Sequence, residues 1–230
     1  MKKTKIFKYQ HFRILSLTIL LVMLYFWSKS NETFLSGSLW GIKTSVWFIL
    51  AVLSPVVHQF YVLVCWRYEL YYRSLSELFG KKAFSIYKAG FSFLILSRLI
   101  TIIILAVSNA ETINISSAAS YTLSVILFIP AFYLFLSVRK YFGADRAFGY
   151  DHFHPEKAKN EPFVKKGIFK YTSNGMYVFG FLILWVPAIL LKSQAALSVA
   201  LFNHVYIWVH YYFTELPDMK EIYGKKYNNN

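Results

Sequence analysis

Residues 45–66 read SVWFILAVLSPVVHQFYVLVCW, twenty-two positions without a formal charge. As an α-helix this stretch rises about 33 Å, enough to cross the ~30 Å hydrocarbon core of a bilayer. Working outward, five more apolar stretches approach that length: 14–27, 89–107, 121–138, 176–191 and 195–213. The fold expected is therefore all-α, a polytopic membrane helix bundle of about six transmembrane helices. Only Lys192-Ser-Gln separates the last two stretches. So short a connection makes them antiparallel neighbours, a C-terminal helical hairpin. Pro187 and the shortness of its first arm suggest that this arm crosses less than the full depth. The stretch 14–27 also resembles a signal-peptide core. The following Ser28-Lys-Ser-Asn-Glu-Thr lacks a clear small-x-small cleavage site, which favours a retained anchor.

Composition agrees. Hydrophobic residues make up 57% and charged residues 16%, with a mean hydropathy of +0.42. Soluble domains run nearer 45–50% apolar and about 25% charged. The 22 Phe, 18 Tyr and 6 Trp exclude a disordered chain. A net charge of +14 would suggest nucleic acid in a soluble protein, but here the cations sit between apolar stretches and report topology. Five Lys/Arg precede or include Arg13, five lie in 67–88, eight in 139–172 and three in the tail. The opposite side carries only Lys29, Lys43 and Lys192. A ratio of 21 to 3 predicts both termini in the cytoplasm. The membrane would be the endoplasmic reticulum in a eukaryote and the inner membrane in a bacterium. Cys65 is the only cysteine, so no intramolecular disulfide or CxxC motif exists. The mix of aromatics and cations in 67–88 suggests a helix lying at the interface, or else an ordinary basic loop.

The chain divides into N-terminal transmembrane helices, 1–120, and a C-terminal core, 121–230. That core holds a cytoplasmic loop, 139–172, too long to be a mere connector. The loop carries Asp145, Arg146, Asp151, His152, His154 and Glu156. The DHFHPE run at 151–156 lacks an HExxH pattern or a cysteine partner, so no metal is assigned to it.

Three blocks then follow in order: Gly167-Ile-Phe-Lys-Tyr, Ser173-Asn-Gly-Met-Tyr-Val-Phe-Gly, and, after the hairpin, Glu215-Leu-Pro-Asp-Met-Lys-Glu-Ile-Tyr-Gly-Lys-Lys-Tyr. This order resembles the integral-membrane methyltransferases that include phospholipid N-methyltransferases and isoprenylcysteine carboxyl methyltransferases. Gly167, Phe169, Lys170 and Tyr171 fit the first block, and Asn174, Met176, Tyr177 and Gly180 the second. Glu215, Tyr223, Gly224 and Tyr227 fit the third. Gly175 stands where the family has proline, and Leu216 where it usually has a second glutamate. Asn174 rather than histidine tilts the resemblance toward the phosphatidylethanolamine branch.

The resemblance implies S-adenosylmethionine as methyl donor and a lipid head-group amine as acceptor. The alternatives are another lipidic acceptor, as in the isoprenylcysteine enzymes, or a non-catalytic membrane protein with a degenerate donor site. Membrane lipid and the bilayer are the expected partners, and nucleic acid is not. Glu215 is the expected catalytic residue, since a carboxylate at the end of the last span can stabilise cationic groups and take a proton from the amine. Cofactor contacts are expected from Gly167, Tyr171, Asn174, Gly175, Tyr177, Gly180, His210 and Glu215. Ser173 or Asn174 would cap the following helix, whose free N–H groups suit a carboxylate. Gly175 would allow a positive φ or a close backbone approach. Helical spacing puts His204, Trp208, Tyr211 and Glu215 on one face, and the first three are expected to bind substrate, Trp208 and Tyr211 by cation–π contact. An aromatic belt, and interhelical hydrogen bonding for His204, are the alternatives. Asp145, Arg146 and Asp151 are candidate polar contacts to the donor. Arg98, within a span, is expected to be paired, or else to bind phosphate.

Overall fold

The computed structural model describes residues 5–224, so Tyr227 of the third block lies outside the described residues. Among the described residues, four helices are long and apolar enough to cross a membrane: α1 (Gln10–Ser28), α2 (Thr44–Tyr72), α3 (Ala83–Ser108) and α4 (Ser117–Ser137). A shorter apolar run, Met176–Leu190, joins a π turn at Met176–Gly180 to α5 (Leu182–Leu190). It is followed by the 17-residue α6 (Gln194–His210), a π turn at Tyr211–Glu215 and α7 (Leu216–Tyr223). Four long apolar helices and a shorter one thus stand where six full spans were expected. The hairpin is there, but α6 is short and carries Gln194, Asn203, His204 and His210. One feature is not helical. Ser38–Leu39 pairs antiparallel with Ile42–Lys43, and Trp40 and Gly41 between them both have positive φ, as a tight two-residue hairpin turn requires.

The long helices turn large apolar side chains outward, among them Phe26, Phe60, Phe93 and Phe132. In water such a surface would aggregate; in lipid it is the matching one. The chain is an integral, multi-pass membrane protein. Small residues pack its interior. Ala195, Ala196 and Ala200 of α6 are fully buried and let that helix approach α1, α2, α3 and α5.

Polar locks close both ends. At one end Asn109 Oδ1 accepts from Ser193 Oγ at 2.9 Å and from the Ala195 amide at 3.0 Å, pinning the hairpin tip. At the other, Arg67 and Asp218 form an ion pair of 2.8 Å with both side chains almost wholly buried. Arg67 also donates to the carbonyls of Lys5 (2.7 Å) and Ile6 (2.9 Å). This corrects the interfacial helix expected over 67–88. Arg67 through Tyr72 continue α2, a short helix Ser74–Phe79 follows, and α3 starts at Ala83. The first cation of that stretch faces an aspartate in the core, not lipid head groups.

Candidate active site

A chamber of about 150 Å³ lies between α2, α3, α6 and the Met176–Gly180 turn. Its walls include Trp66, Phe91, Ile95, Met176, Tyr177, Phe181 and Ile207. Its polar groups are His58 and Gln59 from α2, Arg98 from α3, and His210 and Glu215 from the last helices. Glu215 is the only carboxylate among the lining residues and Arg98 the only Lys or Arg. The chamber shares Phe91, Ile95, Arg98, Ala147, Met176 and Phe181 with an apolar groove of about 450 Å³ between α3, α4 and α5. Leu96 and Phe135 on that groove are exposed on the lipid-facing surface.

Three π turns frame this region. A π turn carries one more residue per turn than an α-helix and is rare outside functional sites. Val138–Phe142 ends α4 and brings Val138 to the groove. Met176–Gly180 presents Met176 and Tyr177 to the chamber and Gly180 to the groove. Tyr211–Glu215 sets Glu215 five positions after His210, and both line the chamber. Regular α spacing had grouped Glu215 with His204, Trp208 and Tyr211; the extra residue moves it to the His210 face.

The Tyr177 hydroxyl donates to Glu215 Oε2. Burial pushes the Glu215 carboxyl above its ordinary pKa, and the Tyr177 hydrogen bond pulls it partly back. Arg98 is 1% exposed. Its Nε donates to Asn203 Oδ1 at 2.9 Å, its Nη1 lies 3.3 Å from His58 Nδ1, and its guanidinium sits 4.8 Å from the Phe181 ring centre. Several buried polar atoms at the chamber have no partner: Arg98 Nη2, His58 Nε2, both side-chain heteroatoms of Gln59, and His210 Nδ1. Buried polar groups are ordinarily satisfied, so this concentration marks a place for a polar guest.

The other expected site residues are placed as follows. His204 accepts from Trp185 Nε1 at 3.1 Å, an interhelical bond. Trp208 and Tyr211 have ring centres 5.7 and 5.4 Å from that of Tyr177, and neither lines the chamber. Gly167 has φ +60, and a Cβ there would fall 2.6 Å from Ser137 Oγ, so it seats the loop against α4. Gly175 has φ −52, not the positive value considered; a Cβ there would crowd Ile168 at 3.2 Å. No side chain caps the turn after it. Instead the Asn174 carbonyl already accepts from the amides of Tyr177 and Val178, and its own amide donates to Thr172 Oγ1. Tyr171 is 75% exposed and outside the chamber.

Loop 139–172 covers one side of the chamber through short helices, and Ala147 of Ala144–Ala147 reaches the lining. Gly149, at φ +88, lets the backbone pass the Trp66 ring, where a Cβ would come within 2.5 Å. His152 stacks on Trp66 with ring centres 3.9 Å apart. Asp151 accepts from the Tyr223 hydroxyl at 2.5 Å, and Arg146 donates to the same hydroxyl at 3.1 Å. Asp145 pairs with Lys88 at the surface, 2.8 Å away. The loop acids thus tie the cover to α7 and α3. Sequence reasoning did not single out His58 and Gln59. A polar pair inside a long apolar helix was the available signal.

No curated protein and no solved structure matches the chain. Residues 119–226 match the family model described as phospholipid methyltransferase. By that match residues 119–226 form a phospholipid methyltransferase domain, of the family whose members methylate phosphatidylethanolamine with S-adenosylmethionine.

Proposed function

We propose that the chamber beside Glu215 is where the amine of the phospholipid meets the methyl donor, and that the groove between α3, α4 and α5 carries the acyl chains. The carrying observation is that the chamber's one carboxylate, held by Tyr177, lies in a cavity that shares six lining residues with an apolar, lipid-facing groove. S-adenosylmethionine, when bound, supplies an electrophilic methyl on a positively charged sulfur. The residues present suit its polar end: unpartnered donors and acceptors on His58, Gln59 and His210, and the carboxylate of Glu215. At about 150 Å³ the chamber holds reacting groups rather than a whole donor, since ligand sites usually span roughly 300–1,000 Å³. Of the residues expected to contact the donor, Tyr177, His210 and Glu215 are assigned to it here, and Gly180 to the groove wall.

A phosphatidylethanolamine amine is protonated near neutral pH and cannot attack until it loses a proton. Glu215 takes that proton when ionised, and its burial raises its basicity for the task. The aromatic walls keep water from competing with the amine. The fine topology belongs to the same reading: six crossings with α5 and α6 as short arms, and both termini cytoplasmic, as the Lys/Arg distribution favours.

The test is methyl transfer by the purified full-length protein from labelled donor to a mixture of membrane lipids. Label is expected in phosphatidylethanolamine and its methylated forms, and Glu215→Gln is expected to abolish it while the protein still elutes as a folded species. Label on a prenylated cysteine carboxylate would move the acceptor to the other branch. Donor binding without transfer to any lipid would sink the catalytic reading.

A further inference from the structure

We infer that Arg98 binds the phosphate of the phospholipid acceptor, so that the chamber reads the zwitterionic head group from both ends. The inference rests on the chamber being the acceptor site.

Charge is the first argument. Arg98 lies within a span, is almost wholly buried and has no carboxylate among its contacts; its partners are the neutral Asn203 oxygen and His58. A cation kept in an apolar interior without a counter-charge is costly and is retained where a ligand supplies the charge. Glu215 is the opposite case in the same cavity, a carboxylate whose hydrogen bond comes from the neutral Tyr177 hydroxyl and not from a cation. A phosphoethanolamine group carries one anion and one cation a short linker apart. Placed with phosphate at Arg98 and ammonium at Glu215, it neutralises both.

Position is the second argument. Arg98 lines both the chamber and the lipid-facing groove, whereas Glu215 lines only the chamber. Moving inward from lipid, a ligand meets apolar walls, then the guanidinium, then the carboxylate. A phospholipid presents acyl chain, phosphate and amine in that order. The donor's carboxylate shares the anionic chemistry, but the donor has no apolar tail to account for the groove.

Geometry is the third. Asn203 is itself fixed by its Nδ2 donating to the Val199 carbonyl at 2.8 Å, which aims its oxygen at Arg98 Nε. With Nε and Nη1 held, Nη2 is left without a partner. A guanidinium oriented in this way offers a fixed donor to an oxyanion with little further loss of freedom.

The experiment compares two acceptors, phosphatidylethanolamine and a long-chain primary amine lacking phosphate, for wild type and Arg98→Gln, with donor affinity measured separately. Arg98→Gln is expected to raise KM for phosphatidylethanolamine at least tenfold. It should leave the phosphate-free amine and the donor Kd within twofold, and Arg98→Lys should recover part of the loss. Equal losses on both acceptors, or an unchanged KM for the phospholipid, would overturn the assignment. A tenfold weaker donor would give Arg98 to the donor's carboxylate instead. Should Arg98→Gln not fold, wild type alone decides. Phosphatidic acid is expected to compete with phosphatidylethanolamine and diacylglycerol is not; inhibition by both, or neither, overturns it. Absence of any phosphatidylethanolamine turnover by wild type would remove the acceptor reading itself, and Arg98's role with it.

Discussion

The C-terminal part, within residues 119–226, and helices α2 and α3 before it line one chamber from opposite sides, but they differ in what their sequences display. The C-terminal part brings Tyr177, His210 and Glu215 on π turns and short helices, and its spaced motifs are what the family model matches. The N-terminal helices bring His58, Gln59 and Arg98 on long, regular α-helices that carry no motif. The first side supplies the carboxylate and the irregular backbone that aims it. The second supplies a rigid wall with one buried cation. A family signature therefore covers the chemistry but only part of the cavity, and breaking the two sides separately should break different things.

The largest effect is expected where the sides are tied. Arg67 on α2 and Asp218 on α7 form a buried ion pair, with further Arg67 bonds to the backbone of Lys5 and Ile6. Arg67→Gln leaves Asp218 buried without its cation, a change that costs about 3–5 kcal/mol. Thermal unfolding in detergent should show a large fall in Tm. A loss under about 1 kcal/mol would mean that other contacts hold the halves together. Next comes Glu215→Ala, expected to lower kcat by about two orders of magnitude, roughly 2.7 kcal/mol of barrier. Its Tm should stay near wild type, since the side chain borders a cavity. Unchanged turnover would take Glu215 out of the reaction.

The long apolar helices, the hairpin and the methyltransferase motif that contains Glu215 were legible because they rest on local signals: apolar length, a three-residue connection and ordered spacing. The rest depended on contacts that sequence spacing does not encode. Arg67 sits among aromatics in sequence and looked interfacial, but its partner lies 151 residues away. Periodicity placed Glu215 beside His204 and Tyr211 because it assumes 3.6 residues per turn, and the π turn at Tyr211–Glu215 breaks that count. Asn174 and Gly175 suggested an open helix start, yet the Asn174 carbonyl already engages the amides beyond it. His58 and Gln59 gain meaning only once α2 packs against α6.

Two smaller perturbations sharpen the comparison from the C-terminal side. Tyr177→Phe removes the hydrogen bond that partly offsets the burial of Glu215. A hydrogen bond to a charged group contributes about 1.5 kcal/mol or more, so kcat/KM should fall about tenfold near neutral pH. The direction in pH is fixed. Glu215 must be ionised to accept a proton, so activity rises with pH through its pKa, which burial holds above the ordinary carboxylate value. Losing the Tyr177 donor raises that pKa further and moves the acid limb to higher pH. A limb moving to lower pH, or absent in the wild type, would show that Glu215 is not the titrating base.

Leu216→Glu is expected to do least. Leu216 is half-buried and shares a shallow surface groove with Lys8, Lys220 and Glu221. A carboxylate there gains two cations and one anion as neighbours, and it loses only part of a leucine's burial. The net change should stay within about 0.5 kcal/mol, the usual range for surface substitutions. Because the resembling family commonly has an acid here, turnover should also hold within twofold. A drop in Tm of many degrees, with lost expression, would place Leu216 against acyl chains and set the membrane boundary at or beyond Leu216. That result would put Glu215 deeper in the bilayer than the chamber reading has it, and would strengthen the demand for a cationic ligand at its side.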